Sequence, residues 1–161
     1  KIELQEHIRP THEIDLIELI DYVIKTYEKI ISKNNISIKF NKTDNFKIIG
    51  DRDKLIEIFT NLIDNSIKYS DKNKEITITA KKDGEFNTVS VADQGIGIPK
   101  ESIHRITERF FTVDPSKSRS VGGTGLGLAI VKHLVSQHRA EMDINSVENE
   151  GTTIDIKFNP L

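Results

Sequence analysis

Apolar residues recur at helical spacing in three long stretches of the chain and alternate with polar ones in several short ones. From Asp15, the residues Leu16, Leu19, Ile20, Val23, Ile24, Tyr27, Ile30 and Ile31 predict one helix that ends at Asn34-Asn35. Ile36, Ile38 and Phe40 predict a half-buried strand, and Phe46 to Ile49 predicts another after a turn. Asp51, followed by Asp53, suits the N-cap of a second helix. In that helix Leu55, Ile58, Phe59, Leu62, Ile63 and Ile67 line one side. Glu57, Asn61, Asp64, Asn65 and Lys68 line the other, within an arc of about 100° at 3.6 residues per turn.

Further on, Glu75 to Lys81 and Phe86 to Ala92 predict a hairpin about Asp83-Gly84, with Ile76, Ile78, Val89 and Val91 inward. Asp93-Gln94-Gly95-Ile96-Gly97-Ile98-Pro99 breaks the sheet pattern, and a short helix follows around Glu101 to Ile106. Residues 112–123 have no hydrophobic period and predict a long, mobile functional loop. A third helix runs through Leu126, Ile130, Leu134 and Val135 to about His138. Glu141 to Val147 and Thr152 to Phe158 predict a closing strand pair.

Composition changes this picture little. At 161 residues the chain suits one domain with a real core. A net charge of −2 gives no sign of nucleic-acid binding or of a polybasic membrane patch. The lack of cysteine excludes disulfides, thiol catalysis and Cys-based metal sites. No apolar run approaches the ~20 residues that span a bilayer. A start at Lys1 with no signal-like segment reads as a domain cut from a longer protein.

Three stretches carry candidate chemistry. The first is Gly122-Gly123-Thr124-Gly125-Leu126-Gly127, which runs into the third helix. Glycines let the backbone approach a ligand, and a helix start presents unpaired N–H groups, which together make a phosphate cradle. The second is the polar stripe of the Asp51 helix. Asn61 and Asn65 stand one turn apart although asparagine is a poor helix former. Their carboxamide oxygens suit Mg²⁺, which takes its other ligands from water and phosphate. Lys68 on the same stripe would neutralise phosphate, and Tyr69 offers an apolar face. The third is Asp93, where a carboxylate at a strand end would accept from the exocyclic amine of adenine and reject guanine. The P-loop motif, the Rossmann fingerprint and the protein-kinase loops are absent.

Taken in order, these stretches resemble the catalytic ATP-binding domain of two-component sensor histidine kinases, of the superfamily that includes DNA gyrase, heat-shock protein 90 and the mismatch-repair ATPases. Asn61-Leu62-Ile63-Asp64-Asn65-Ser66-Ile67-Lys68-Tyr69 resembles the N box and Asp93-Gln94-Gly95-Ile96-Gly97 the first glycine box. Thr107-Glu108-Arg109-Phe110-Phe111 resembles the F box and Gly123-Thr124-Gly125-Leu126-Gly127-Leu128 the second glycine box. Gly151-Thr152-Thr153 resembles the closing glycine-threonine turn.

The resemblance implies a two-layer α/β sandwich, the Bergerat ATP-binding fold, with a mixed sheet packed against about three helices on one face. It implies a linker or tail of upstream dimerisation helices over residues 1–14 and the catalytic domain over 15–161. Asn65 would hold Mg²⁺ with Asn61 assisting, Lys68 would contact phosphate and Tyr69 would line the adenine pocket. Asp93 would read adenine, and Gly95, Gly97 and Ile98 would shape its surroundings. Gly123, Thr124, Gly125, Leu126 and Gly127 would meet the phosphates. Residues 112–122 would form the ATP lid, in which Lys117 and Arg119 are weaker candidates, and Arg109 would support the γ-phosphate.

In the gyrase-like ATPases a water-activating Glu stands where this chain has Asn61, so the resemblance favours phosphotransfer over hydrolysis. Thr107 and Thr112 depart from the usual Phe and Arg, which implies an altered lid hinge. None of His7, His12, His104, His133 and His138 has the phosphoacceptor context, so the acceptor would lie upstream on helices of the same kinase. The implied partners are ATP, those helices and a response-regulator receiver domain, within a homodimeric whole protein. This domain would be cytoplasmic, free of nucleic-acid and membrane contact, and the whole protein a membrane receptor. The competing readings are an anti-sigma-type serine kinase or ATPase of the same fold and a non-catalytic nucleotide-gated module.

Overall fold

Alternating burial lays five strands into one mixed sheet, in the order Ser37–Asn41, Glu75–Lys82, Asn87–Ala92, Gly151–Phe158 and Glu141–Val147. The computed structural model describes residues 12–70, 74–108 and 127–161. In chain order these hold β1 (His12–Asp15), α1 (Leu16–Thr26), α2 (Glu28–Lys33), β2 (Ser37–Asn41) and β3 (Lys47–Gly50). They continue with α3 (Arg52–Lys68), β4 (Glu75–Lys82), β5 (Asn87–Ala92), a 3₁₀ helix (Lys100–Arg105), α4 (Gly127–Gln137), β6 (Glu141–Val147) and β7 (Gly151–Phe158).

β2 runs parallel to β4, and every other neighbouring pair in this sheet is antiparallel. The α/β sandwich expected from the sequence is therefore present. α3 is the middle helix, touching α1 on one side and α4 on the other. Leu55, Ile58, Phe59, Leu62 and Ile63 of α3 are buried with Ile76, Ile78, Val89, Val91, Ile154 and Ile156 of the sheet in one core. Burying such side chains contributes about 1.5–3 kcal/mol each.

Three local features differ from the periodicity. His12–Asp15, which overlap the end of the stretch 1–14 expected to be linker, form β1, which pairs with β3 in a separate two-stranded sheet. Only Ile14 of that strand is buried, so no alternation announces it. The first helix is two helices. Its apolar spacing runs unbroken through Tyr27, yet α1 ends there and the Tyr27 hydroxyl donates to the Thr60 carbonyl at 3.3 Å. In α4 the buried stripe is Leu128, Val131, Leu134 and Val135, while the expected Ile130 is only partly covered.

Local chemistry closes the elements as their residue types dictate. Asp15 caps α1 by accepting from the N–H groups of Ile17 and Glu18. Asp51 caps α3 by accepting from Lys54 N–H at 3.1 Å. In the β4–β5 turn the Asp83 carboxylate accepts from Glu85 and Phe86 N–H, beside Gly84 at φ +90°.

Candidate functional site

The C-terminal half of α3 places Asn61, Asp64, Asn65 and Lys68 on a half-buried face, as its apolar stripe requires. Asn61 Nδ2 donates to the Glu57 carbonyl at 2.8 Å, which fixes the carboxamide. Its Oδ1 then lies 3.4 Å from the point where a Cβ on Gly127 would stand. The polar stripe of α3 thus meets the first residue of α4, into which the second glycine run leads. Asn65 has no side-chain hydrogen bond among the described residues. Lys68 Nζ is held 3.0 Å from Asp64 Oδ2, so phosphate would have to compete with that carboxylate for it.

Beyond Tyr69, which caps α3, the loop after β5 folds back onto the helix end. Ile96 N–H donates to the Tyr69 carbonyl at 3.3 Å. A Cβ on Gly95 would stand 2.3 Å from that same oxygen, so only glycine fits. The close approach that Gly97 permits is to the end of β6. Its φ is +70°, and an added Cβ would stand 2.2 Å from the Val147 carbonyl oxygen. Ile98 is buried, and its N–H donates to Ser146 Oγ at 2.7 Å.

Asp93 is the most constrained of the expected site residues. Its Oδ1 accepts from Gly95 N–H at 2.9 Å and from Thr152 N–H at 3.2 Å. The Ser66 hydroxyl also donates to the carboxylate. Burial pushes the Asp93 carboxyl above the usual carboxylate range, and these three hydrogen bonds oppose the shift. Two backbone donors converge on Oδ1, and among the described residues no backbone donor meets Oδ2.

The supporting residues Ser66, Ser146 and Thr152 were given no such part by the sequence. Ser66 has a visible signal, because it is the polar residue on the buried side of α3. Ser146 and Thr152 reach Asp93 only through strand pairing between distant segments.

Arg109, Gly123, Thr124, Gly125 and Leu126 lie outside the described residues, as do Phe110, Phe111, Thr112, Lys117, Arg119, the expected lid and His7. Of the histidines within them, His12, His104 and His133 are exposed and His138 is buried. His138 does structural work at the far end of the same two helices. Its Nδ1–H donates to the Leu134 carbonyl at 2.8 Å, and its Nε2 accepts from Asp51 N–H at 3.1 Å. Burial pushes the His138 imidazole down from its ordinary value.

Over residues 50–161 the chain matches the family described as histidine kinase-, DNA gyrase B- and HSP90-like ATPases. The chain belongs to this ATPase family. Within the family it is 31% identical to the sensor-like histidine kinase SenX3 of Mycolicibacterium smegmatis, over 98% of this chain and 41% of SenX3. It is 34% identical to the sensor histidine kinase WalK of Bacillus subtilis, over 88% of this chain and 23% of WalK. It therefore spans less than half of each relative. Its fold matches the mycobacterial sensor histidine kinase MprB at a TM-score of 0.80 and 28% identity, covering 94% of this chain and 99% of that one. The catalytic domain of histidine kinase ThkA matches equally well, at 0.80 and 29%, covering 92% and 94%. An ATPase-family domain thus holds the α3 stripe, Asp93 and the start of α4 at one end of its helical layer.

Proposed function

We propose that this domain binds Mg-ATP between α3 and α4 and transfers the γ-phosphoryl group to a histidine on dimerisation helices of the same kinase, for relay to an aspartate of a response regulator. The observation that carries the reading is the meeting of Asn61 with Gly127. It brings the neutral carboxamide oxygen of Asn61 against the start of a helix, which supports a phosphate site there. The chain's relatives are named sensor histidine kinases, and the related ThkA has been solved in complex with response regulator protein TrrA.

Each residue has a role that its chemistry allows. Asp93 Oδ2 accepts from the adenine amine while the fixed Oδ1 holds the carboxylate plane. Asn65 supplies a carboxamide oxygen to the metal, with Asn61 beside it. A magnesium ion held this way would take its other ligands from water and phosphate. Bound magnesium would neutralise charge on the phosphates. Lys68 turns from Asp64 toward the same phosphates.

Asn61 cannot act as a base, and its amide is committed to the Glu57 carbonyl. Water therefore goes unactivated at this position. An incoming neutral imidazole needs no strong base, because it is itself a nucleophile. As its nitrogen–phosphorus bond forms, the bond from the γ-phosphorus to the ADP oxygen breaks and the imidazole N–H proton leaves to solvent. Positioning and charge neutralisation supply the catalysis.

The test is the partition of phosphate. With γ-labelled ATP and the histidine-bearing helices added, label should appear on the helices while free phosphate release by the domain alone stays low. Rapid phosphate release without transfer would overturn the proposal in favour of an ATPase.

A further inference from the structure

The loop that carries Asp93 leaves β5 and is clasped again, residues later, by the β6–β7 hairpin. Three contacts make the clasp. Asn149 N–H donates to the Ile96 carbonyl at 2.7 Å, Gly97 packs against the Val147 carbonyl, and Ile98 N–H donates to Ser146 Oγ at 2.7 Å. Of these, only the Ser146 contact uses a side-chain donor or acceptor.

Ser146 also faces the other strand of the hairpin. Its hydroxyl donates to the Gly151 carbonyl at 3.0 Å and lies 2.8 Å from Thr152 Oγ1. A hydroxyl has one proton and two lone pairs. With the Ser146 proton on Gly151, its lone pairs take Ile98 N–H and the Thr152 hydroxyl, and the group is fully used. Ser146 and Thr152 are also directly paired in the β6–β7 register. Thr152 in turn holds Asp93 twice, through N–H to Oδ1 at 3.2 Å and through its carbonyl, which accepts Asp93 N–H at 2.8 Å. The Ser146 hydroxyl therefore ties Ile98, at one end of the loop, to Thr152, whose backbone holds Asp93 at the other.

We infer that Ser146 is a positioning residue for nucleotide recognition, whose hydroxyl sets the placement of the Asp93 carboxylate by locking Ile98 to Thr152. The inference rests on Asp93 being the adenine reader. Without the hydroxyl, Ile98 N–H and the Thr152 hydroxyl, on residues only 8% and 9% exposed, each lose a partner. The loop then shifts relative to β7, and Asp93 with it. Among the described residues the Ser146 hydroxyl bonds only to Ile98, Gly151 and Thr152, so its effect on Asp93 is carried through the loop and Thr152.

The experiment compares the 161-residue chain with its Ser146→Ala and Ser146→Thr variants. Binding of ATP and of GTP is measured by calorimetry, and the melting temperature of the nucleotide-free protein is measured alongside. The expected result is an ATP affinity about tenfold lower in Ser146→Ala, as for the loss of one buried hydrogen bond. The ATP-over-GTP preference should narrow by a similar factor, and Ser146→Thr, which keeps the hydroxyl, should recover most of both. A purely structural role would weaken both nucleotides equally or leave the preference unchanged, and either result overturns the inference. Unchanged ATP affinity in Ser146→Ala overturns it as well while leaving the proposed function standing. If the unsubstituted chain fails to bind ATP, both fall together.

Discussion

Asp93 and Thr152 are joined by a reciprocal pair of hydrogen bonds. Thr152 N–H donates to Asp93 Oδ1 at 3.2 Å, and Asp93 N–H donates to the Thr152 carbonyl at 2.8 Å. A side chain just after β5 is thereby fixed by the second residue of a strand nearly sixty positions later. The carboxylate is held in a partly buried place that disfavours its charge, which is where a recognition group gains most from meeting a donor.

Asp93→Asn tests that role. The substitution preserves shape and leaves an oxygen for the Thr152 and Gly95 donors, but it removes the charge and can turn an N–H₂ group toward the base. ATP affinity should fall roughly 10- to 100-fold, the range for a hydrogen bond to a charged group, and the preference over GTP should narrow. In the unsubstituted chain, the Asp93 carboxyl is raised by burial, so it takes up its proton at a higher pH than an ordinary carboxylate. ATP binding should accordingly weaken on acidification before ordinary surface carboxylates titrate. Calorimetric titrations at descending pH check both.

Gly97 and Gly84 both have positive φ, +70° and +90°, but in different surroundings. A Cβ at Gly97 would meet the Val147 carbonyl at 2.2 Å, whereas nothing lies within 4 Å of one at Gly84. Gly84→Ala should cost only the backbone strain of the left-handed region, about 1–2 kcal/mol. Gly97→Ala adds a backbone clash that the β6–β7 hairpin must open to relieve, and should cost about 3 kcal/mol or more. Denaturant unfolding of the two variants measures the difference.

His138 gives the fold a pH dependence. Burial lowers its folded pKa below the ordinary value of 6.5. Below that ordinary value the unfolded chain binds a proton that the folded chain resists. Stability from this residue is therefore complete above the ordinary value and declines as pH falls toward the folded one. The charges that act on the ring are Asp51, which favours the proton, and Lys54, which opposes it. Protonation also turns Nε2 from acceptor to donor against Asp51 N–H, breaking the bond that pins α4 to the start of α3. Urea unfolding across pH 5–8 should show this decline, and His138→Phe should flatten it at some cost in overall stability.

Much of the fold was legible because its signals are local. The apolar stripe of α3, the Asp51 cap and the Asp83-Gly84 turn each lie within a few residues, and each is present as its residue types indicate. The missed features depend on distant partners. β1 has one buried residue and exists by pairing with β3 across more than thirty positions. Tyr27 keeps helical spacing, so the division between α1 and α2 is invisible in the pattern. At the site, Asn61 and Asn65 stand out as poor helix formers inside α3, and Asp93 as a carboxylate where a strand ends. Ser146 and Thr152 are ordinary hydroxyl residues, and only the strand register turns them into the support of Asp93.

The most direct test of the whole account is the chemical nature of the phosphoryl bond that the domain makes. With γ-labelled ATP, magnesium and the histidine-bearing helices, the labelled protein should lose its phosphate in acid and keep it in base, as a phosphohistidine does. Asn65→Ala should abolish the label while circular dichroism shows an unchanged fold. A label stable in acid, the behaviour of a phosphoserine, would contradict histidine phosphotransfer; undiminished labelling in Asn65→Ala would contradict the place given to the metal.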